Sequence, residues 1–320
     1  MRKISIGSWA YNMGYYDDDP IPLEIVVKKL SELRYDGIEL CGHRPHAHPF
    51  DYSTKAERSD LLGMIKGYGL GISAYLPDLQ GFPILSDYES ITKQYLKAFE
   101  INLKFCADLD VKMIRVDEGG SWFRLKAENA PSSCGGSVCL PSMAGEREYR
   151  NRWDKVVSIW KKCTRTADNY GITVLWEFEP TSIFNKPSEI AKLIDEVGSP
   201  NFKGLFETMH AHLICYLGAL QKPPFEILND GLTDFIKLLR NRIGHVHLAD
   251  SDNTFHHGIY GTKKMLGEGM LNFDEIMQTF KEINYDSEWW TIDLCFQPAA
   301  WDLTKRARDL VELLLRKYYP

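Results

Sequence analysis

The sequence lacks an excess of positive charge and lacks long apolar runs. Its 320 residues carry 38 Lys and Arg against 44 Asp and Glu, a formal net charge of −6. Proteins that bind nucleic acid neutralise phosphates with a basic surface, so we expect no nucleic-acid partner. No stretch approaches the roughly 18 apolar residues of a membrane-spanning helix, so we expect no membrane association. The opening MRKISIGSWAYN has no apolar segment of the signal-peptide type, which favours a cytoplasmic protein.

Cysteine is too sparse and too scattered for a disulfide framework. The chain has 7 cysteines, an odd number. Five of them stand alone in apolar or helical contexts, which is typical of reduced thiols: Cys41, Cys106, Cys163, Cys215 and Cys295. Cys134 and Cys139 share the segment SSCGGSVCLPS, but no second Cys or His pair lies nearby. We therefore interpret these two as loop thiols rather than as a redox or metal pair.

The chain alternates short β-branched runs with longer segments of helical period, the pattern of a parallel sheet covered by helices. Strands are predicted at 3–8, 36–42, 70–76, 111–117, 172–179, 202–208, 243–250 and 289–296. Helices are predicted at 22–33, 90–109, 149–171, 187–198, 234–241, 272–283 and 304–319. Eight such units predict an α/β protein with a single (β/α)8 TIM barrel over residues 1–320.

The competing architecture is an open, doubly wound sheet. Such a sheet normally carries a G-x-G-x-x-G turn after its first strand, and SIGSWAYNMG does not have that spacing. The absence favours the closed barrel. The longest predicted loop, about 118–148, follows strand four and is rich in Gly, Ser and Cys. We expect it to form a lid or a partner surface.

Histidine and carboxylate residues concentrate at the predicted C-terminal ends of the strands, where TIM barrels place their chemistry. The stretch GHVHLADSDNTFHHG alone holds four of the nine histidines. Several carboxylates converging inside a barrel need a counter-ion, and a divalent cation is the simplest one. In such a site His247 is the imidazole ligand. His245 lies on the same strand face, and we assign it to a hydrogen-bonded layer.

Several residues near the predicted barrel mouth are candidates for substrate contact. Glu179 precedes Pro180 and either contacts substrate or meets solvent. His43 and His46 belong to HRPHAHP, which either lines the pocket or forms an exposed loop. Trp9 ends strand one and is either a packing residue or a platform for a sugar. His257, in the loop after strand seven, completes the set of substrate-binding candidates.

Six motifs occur in the order of a known superfamily. They are YDGIEL, LWEFEP, LFETMH, GHVHLAD, LGEGMLNFDEI and WWTIDL, and together they span nearly the whole chain. In this respect the sequence resembles the xylose-isomerase-like TIM barrels. These include sugar phosphate isomerases and epimerases, ketose 3-epimerases, inosose dehydratases and endonuclease IV.

The resemblance implies a ligand set of Glu177, Glu207, His247 and Asp293 around one divalent metal. Two positions depart from the family pattern, which usually has Asp at strand six and Glu at strand eight. The exchange either shifts the ion across the barrel or means that one of these two residues is not a ligand. The resemblance also places His210 against substrate oxygens.

Three carboxylates and one imidazole favour Mn²⁺, with Mg²⁺ or Co²⁺ as alternatives. The resemblance then predicts a sugar isomerase or epimerase that abstracts a proton next to a carbonyl. Glu177 and Asp293 are its candidate acid–base pair, and His210 is the third catalytic candidate.

Other functions remain open at this point. β-Elimination from a keto sugar would make the protein a lyase, as in inosose dehydratases or C-glycoside deglycosidases, the latter paired with a small partner subunit. A non-catalytic sugar-binding or assembly subunit is the alternative of another class. A DNA repair nuclease is disfavoured by the acidic charge. We expect either a homo-oligomer or a complex with a small partner subunit.

Overall fold

Eight parallel strands form the wall of the barrel in the computed structural model, which describes residues 2–79, 81–82, 84–117, 146–219, 221–256 and 260–320. They are β1 (Lys3–Ile6), β2 (Gly37–Cys41), β3 (Gly71–Leu76), β4 (Met113–Val116), β5 (Thr173–Glu177), β6 (Phe202–Glu207), β7 (Ile243–Leu248) and β10 (Trp289–Ile292). Their order is β1-β10-β7-β6-β5-β4-β3-β2. A parallel bridge between Gly7 and Glu39 joins the first strand to the second. The predicted (β/α)8 barrel is therefore confirmed.

Helices pack around this wall. The described residues include α1 (Leu23–Glu32), α2 (Lys55–Gly67), α3 (Glu89–Asp108), α4 (Glu146–Asp168), α5 (Pro187–Val197), α6 (Thr208–Cys215), α7 (Leu232–Leu238), α8 (Phe273–Glu282) and α9 (Ala300–Tyr318). Two of them, α2 and α6, were not predicted. In α2 only Leu61 and Ile65 are buried, so its apolar stripe is too thin to read from the sequence. A capping box of Thr54 and Glu57 fixes its start instead.

An antiparallel hairpin is inserted between β7 and α8. Its strands are β8 (Asp250–His256) and β9 (Tyr260–Lys264), in a region that the sequence analysis treats as a loop. The stretch is polar and lacks the apolar alternation of a half-buried strand, which explains the omission. The hairpin matters because it brings Lys263 to the mouth of the barrel.

The lower part of the barrel interior is apolar. Ala74, Leu175 and Leu205 are fully buried and pack together there. This packed floor is typical of TIM barrels, whose interiors are filled rather than open. Polar chemistry is thus confined to the upper end of the strands.

No helix in the described part of the chain is long and apolar enough to cross a membrane. The five described cysteines are buried and free of disulfide bonds. The predicted lid segment falls largely on residues 118–145, which lie outside the described residues, and the same is true of Cys134, Cys139 and His257.

Candidate active site and metal centre

A cavity opens at the C-terminal ends of the strands. Its lining includes many of the polar residues singled out above and two unexpected cations: Trp9, His43, Arg115, Glu177, Glu179, His210, Lys263 and Asp293. The cavity therefore lies where the strand ends predict the site.

Three of the four predicted metal ligands converge beneath this cavity. Glu177 ends β5, His247 lies in β7, and Asp293 directly follows β10. Each offers one ligand atom, and these atoms all lie within 4.8 Å of one another. All three side chains are buried. Residues far apart along the chain thus form one compact group of oxygen and nitrogen donors.

Glu207, the fourth predicted ligand, is buried nearby but does not belong to that group. It is the N-cap of α6, and its Oε2 accepts a hydrogen bond from the backbone N–H of His210 at 2.5 Å. Its other oxygen, Oε1, lies 3.1 Å from Nζ of Lys263. Both oxygens of Glu207 therefore already contact the protein, one capping a helix and one meeting an ammonium group.

His247 is held from below by Glu39, a residue of β2. Nε2 of His247 lies 3.0 Å from Glu39 Oε2, and its Nδ1 lies 3.7 Å from Glu177 Oε1. Burial lowers the pKa of His247, but the Glu39 and Glu177 carboxylates outweigh it and raise the pKa to about 10. His245 lies in the expected hydrogen-bonded layer, with Nε2 3.0 Å from Glu39 Oε2 and 2.8 Å from Thr291 Oγ1.

Two cations accompany the carboxylates, a largely buried arginine and a buried lysine. Arg115, on β4, forms an ion pair with Glu177, and its Nη2 lies 3.4 Å from Glu179 Oε1. Lys263, on β9, forms an ion pair with Asp293. Burial raises the pKa of Glu177, yet Arg115 outweighs it and holds that pKa at about 2. Burial likewise raises the pKa of Asp293, and Lys263 reverses the effect and lowers it.

Trp9 packs against the metal-ligand group. Its Nε1 donates to Asp293 Oδ1 at 2.9 Å, and its ring centroid lies 5.3 Å from that of His247. The same Asp293 oxygen accepts the backbone N–H of Cys295 at 2.7 Å. These contacts fix the orientation of the Asp293 carboxylate, so Trp9 both lines the cavity and positions a predicted ligand.

The remaining candidates divide between the cavity and the core. His210 Nδ1 lies 3.8 Å from Glu177 Oε1. Burial raises the pKa of Glu179, which accepts a hydrogen bond from Thr181 Oγ1 at 3.0 Å. His43 lines the cavity, with Nδ1 3.6 Å from Asp78 Oδ2. His46, in contrast, is buried outside the cavity lining, and its Nε2 lies 2.9 Å from the Ile21 carbonyl oxygen.

The charge balance tests whether a divalent cation fits. Five buried carboxylates surround the site: Glu39, Glu177, Glu179, Glu207 and Asp293. Among the residues that the structure describes, the permanent cations in contact with this set are Arg115 and Lys263. Even with His247 protonated, ionised carboxylates outnumber the cations, and an uncompensated buried charge is costly. A divalent cation at Glu177, His247 and Asp293 would correct the imbalance, so the residues fit a metal.

Sequence reasoning missed Glu39, Arg115 and Lys263. Glu39 and Arg115 each interrupt a buried apolar strand, GIELC and MIRV, and that interruption is a readable signal. Lys263 lies in the segment YGTKK, where nothing in the sequence separates it from Lys264.

Comparison with known proteins extends the geometric result. A curated relative, fructoselysine 3-epimerase of Escherichia coli O157:H7, is 21% identical over 273 residues, covering 83% of each chain. The solved structure of the IolI protein with a bound zinc atom has a TM-score of 0.71 at 15% identity and covers 99% of both chains. That of 3-keto-D-glucoside 4-epimerase from E. coli has a TM-score of 0.67 at 19% identity, covering 98% of this chain and 99% of the other. A family model described as xylose isomerase-like TIM barrel matches residues 27–316, and the chain belongs to that family.

Proposed function

We propose that this chain is a divalent-metal-dependent sugar epimerase or isomerase that acts at a carbon next to a carbonyl group. The observation that carries the proposal is the convergence of Glu177, His247 and Asp293 within 4.8 Å beneath the cavity at the C-terminal ends of the strands. The names of two relatives, fructoselysine 3-epimerase and 3-keto-D-glucoside 4-epimerase, support the substrate class and the reaction type.

The ion would be held by Glu177, His247 and Asp293. Glu207 lies next to this group and contacts Lys263 instead. Oxygen and imidazole donors suit Mn²⁺, our first choice, and also Mg²⁺, Co²⁺ or the zinc named in the IolI structure. When bound, the metal would polarise the substrate carbonyl and so acidify the adjacent C–H bond. Glu39 would hold His247 in orientation from behind, as partners of metal-bound imidazoles usually do.

Glu177 and Asp293 are the proposed acid–base pair. Their cationic neighbours, Arg115 and Lys263, lower both pKa values and keep both groups ionised at neutral pH. Each is therefore ready to accept a proton from carbon. One carboxylate would remove the proton from one face of the sugar. The other, having taken a proton from solvent water, would return it to the same carbon on the opposite face, and proton exchange with water would restore both groups.

The other lining residues have binding roles in this proposal. His210, close to Glu177, would donate to a substrate oxygen. Glu179 and His43 line the same cavity and would contact hydroxyl groups. Trp9 covers the Asp293 side and excludes water from it. His46 has no such role, because its ring nitrogen contacts the Ile21 carbonyl away from the cavity.

The decisive experiment follows solvent deuterium. Protein stripped with EDTA and reloaded with Mn²⁺, Mg²⁺, Co²⁺ or Zn²⁺ is incubated in D2O with free ketoses, sugar phosphates and 3-keto glycosides. We expect metal-dependent deuterium at the carbon next to the carbonyl, in the epimerised product and in recovered substrate. Retention of the original hydrogen in the product would indicate hydride transfer and contradict the proposal.

The same assay separates the alternatives. An unsaturated or deglycosylated product with the label would indicate a lyase, because elimination shares the proton-abstraction step. Sugar binding without exchange under any metal would indicate a non-catalytic subunit. Glu177→Gln should abolish exchange, whereas Glu100→Gln, on the partly exposed face of α3, should not change it.

A further inference from the structure

Lys263 is the buried residue of the site that the proposed mechanism uses least. It is delivered by the β8–β9 hairpin rather than by a barrel strand. Only 5% of its surface is exposed, and it lines the cavity. Its ammonium group pairs with Asp293 and lies 3.1 Å from Glu207 Oε1. A buried ammonium is tolerated only when carboxylates compensate it, and here two do.

Lys263 faces the cavity, whereas its neighbour Lys264 does not. Neighbouring residues of a strand point to opposite faces, and Lys264 indeed points away from the cavity. Its side chain is 40% exposed, and its Nζ lies 3.0 Å from Asp252 Oδ2. The Lys263 carbonyl accepts a hydrogen bond from Gln297 Nε2 at 3.1 Å, which ties β9 to the segment after β10. Lys264 is therefore a matched control for Lys263.

We propose that Lys263 is an internal counter-ion of the metal site and competes with the divalent cation for Asp293. The inference rests on the proposed function, because it assumes that a cation uses Asp293 as a ligand. Two positive groups that approach one carboxylate repel each other strongly in a buried site. Cation binding must therefore draw Asp293 away from the ammonium, which keeps Glu207 as its second partner.

This arrangement gives Glu207 a role despite its distance from the three-ligand group. In the structure, Lys263 joins Glu207 and Asp293 and neutralises part of the acidic cluster. When the cation takes Asp293, Glu207 retains the ammonium at the cavity wall. The ammonium then remains beside the substrate space rather than being expelled into solvent.

The test measures Mn²⁺ affinity rather than turnover. Free Mn²⁺ is quantified by its electron paramagnetic resonance signal during titration of the metal-free wild type, Lys263→Met, Lys263→Gln, Lys263→Arg and Lys264→Met. Removing the competing charge should tighten Mn²⁺ binding about tenfold in the Met and Gln variants. Arg keeps the charge and can bind Asp293 with two donors, so Lys263→Arg should bind Mn²⁺ more weakly than wild type. Lys264→Met should stay within about twofold of wild type, because Lys264 faces away from the site.

Each outcome decides the inference. Equal or weaker Mn²⁺ binding in Lys263→Met and Lys263→Gln overturns it and leaves the proposed function standing. Mn²⁺ binding by Lys263→Met but not by wild type supports the competition while contradicting metal dependence of the native protein. Absence of binding in every variant overturns both. If the Met and Gln variants do not fold, Lys263→Arg decides, since affinity equal to or above that of wild type contradicts competition.

Discussion

Two buried aspartates at the same end of the barrel, Asp250 and Asp293, are satisfied in different ways. Asp250 Oδ1 accepts the backbone N–H groups of Ser251 at 2.8 Å and Leu271 at 3.1 Å. Its Oδ2 accepts those of Gly267 and Gly269, both at 2.9 Å. Asp293 instead contacts an indole, one backbone amide and an ammonium group: Trp9, Cys295 and Lys263.

The difference separates a structural carboxylate from a chemical one. Three of the four backbone amides belong to the segment 267–271 and cannot leave Asp250 unless that segment unfolds, so this carboxylate fixes the LGEGML motif in place. An ammonium on a flexible side chain can be exchanged for another cation. Burial alone therefore does not identify a functional carboxylate. A functional carboxylate is identified by a partner that can move away from it, such as the flexible Lys263 side chain.

The largest predicted effect falls on Asp293. Asp293→Asn removes a proposed acid–base group and metal ligand, so kcat should fall by about 10³-fold and Mn²⁺ affinity should drop. The free energy of unfolding should also fall, by about 1–3 kcal/mol, because Glu207 still compensates Lys263 but the new amide NH2 group faces the ammonium. Steady-state kinetics and urea denaturation measure the two quantities on one preparation. Retained activity would remove Asp293 from the mechanism.

Asp250→Asn should lower the free energy of unfolding but leave kcat almost unchanged. The amide presents an NH2 group to backbone donors that now face a carboxylate, so unfolding should become easier by about 2 kcal/mol. In the folded protein kcat should stay within about threefold of wild type, since Asp250 does not line the cavity. A stable Asp250→Asn protein with abolished exchange would break the distinction between the two aspartates.

The geometry around Asp250 gives a smaller, steric prediction. A Cβ atom at Gly269 would overlap Asp250 Oδ1 and the Ser251 carbonyl oxygen. Gly269→Ala should therefore cost about 1–2 kcal/mol in the free energy of unfolding. The control is Gly63→Ala in α2, where nothing lies within 4 Å of the added methyl group. It should stabilise the protein by roughly 0.5–1 kcal/mol, since alanine favours helix. Equal effects of both variants in thermal unfolding would contradict the overlap.

A buried histidine, His46, extends the comparison to pH. Burial lowers the pKa of His46 from 6.5 to about 4, although its bond to the Ile21 carbonyl opposes the shift. Between these values the unfolded chain binds the proton and the folded protein does not. The His46 contribution to stability is therefore complete above pH 6.5 and is lost as the pH falls toward 4, by at most about 1.4 kcal/mol per pH unit. His46→Gln should flatten this slope in urea unfolding, and an unchanged slope would contradict a neutral, structural His46.

Periodicity and strand direction were sufficient to predict the barrel. All eight barrel strands lie where short apolar, β-branched runs predict them, because the burial of each strand shows in its local composition. The convergence of Glu177, His247 and Asp293 also follows from the sequence, since parallel strands bring their C-terminal ends to one edge. Helix α2 was missed because few of its residues are buried.

The parts that escaped the sequence depend on contacts between distant segments. Glu39 and His247 are 208 residues apart along the chain, and Lys263 and Asp293 are 30 apart. Neither contact therefore has a local signature in the sequence. The placement of Glu207 was equally hidden, because its role as the cap of α6 depends on a helix that the sequence analysis did not predict. His46 shares its loop with His43, yet only the folded loop shows that one faces the cavity and the other the core.

The most direct test of the account is a crystal structure of the protein with Mn²⁺, with the ion located by anomalous scattering. The account predicts one ion bound by Glu177, His247 and Asp293, with Lys263 drawn away from Asp293 and still paired with Glu207. An ion bound elsewhere, or none while Glu177, His247 and Asp293 keep their contacts with Arg115, Glu39 and Lys263, would contradict it.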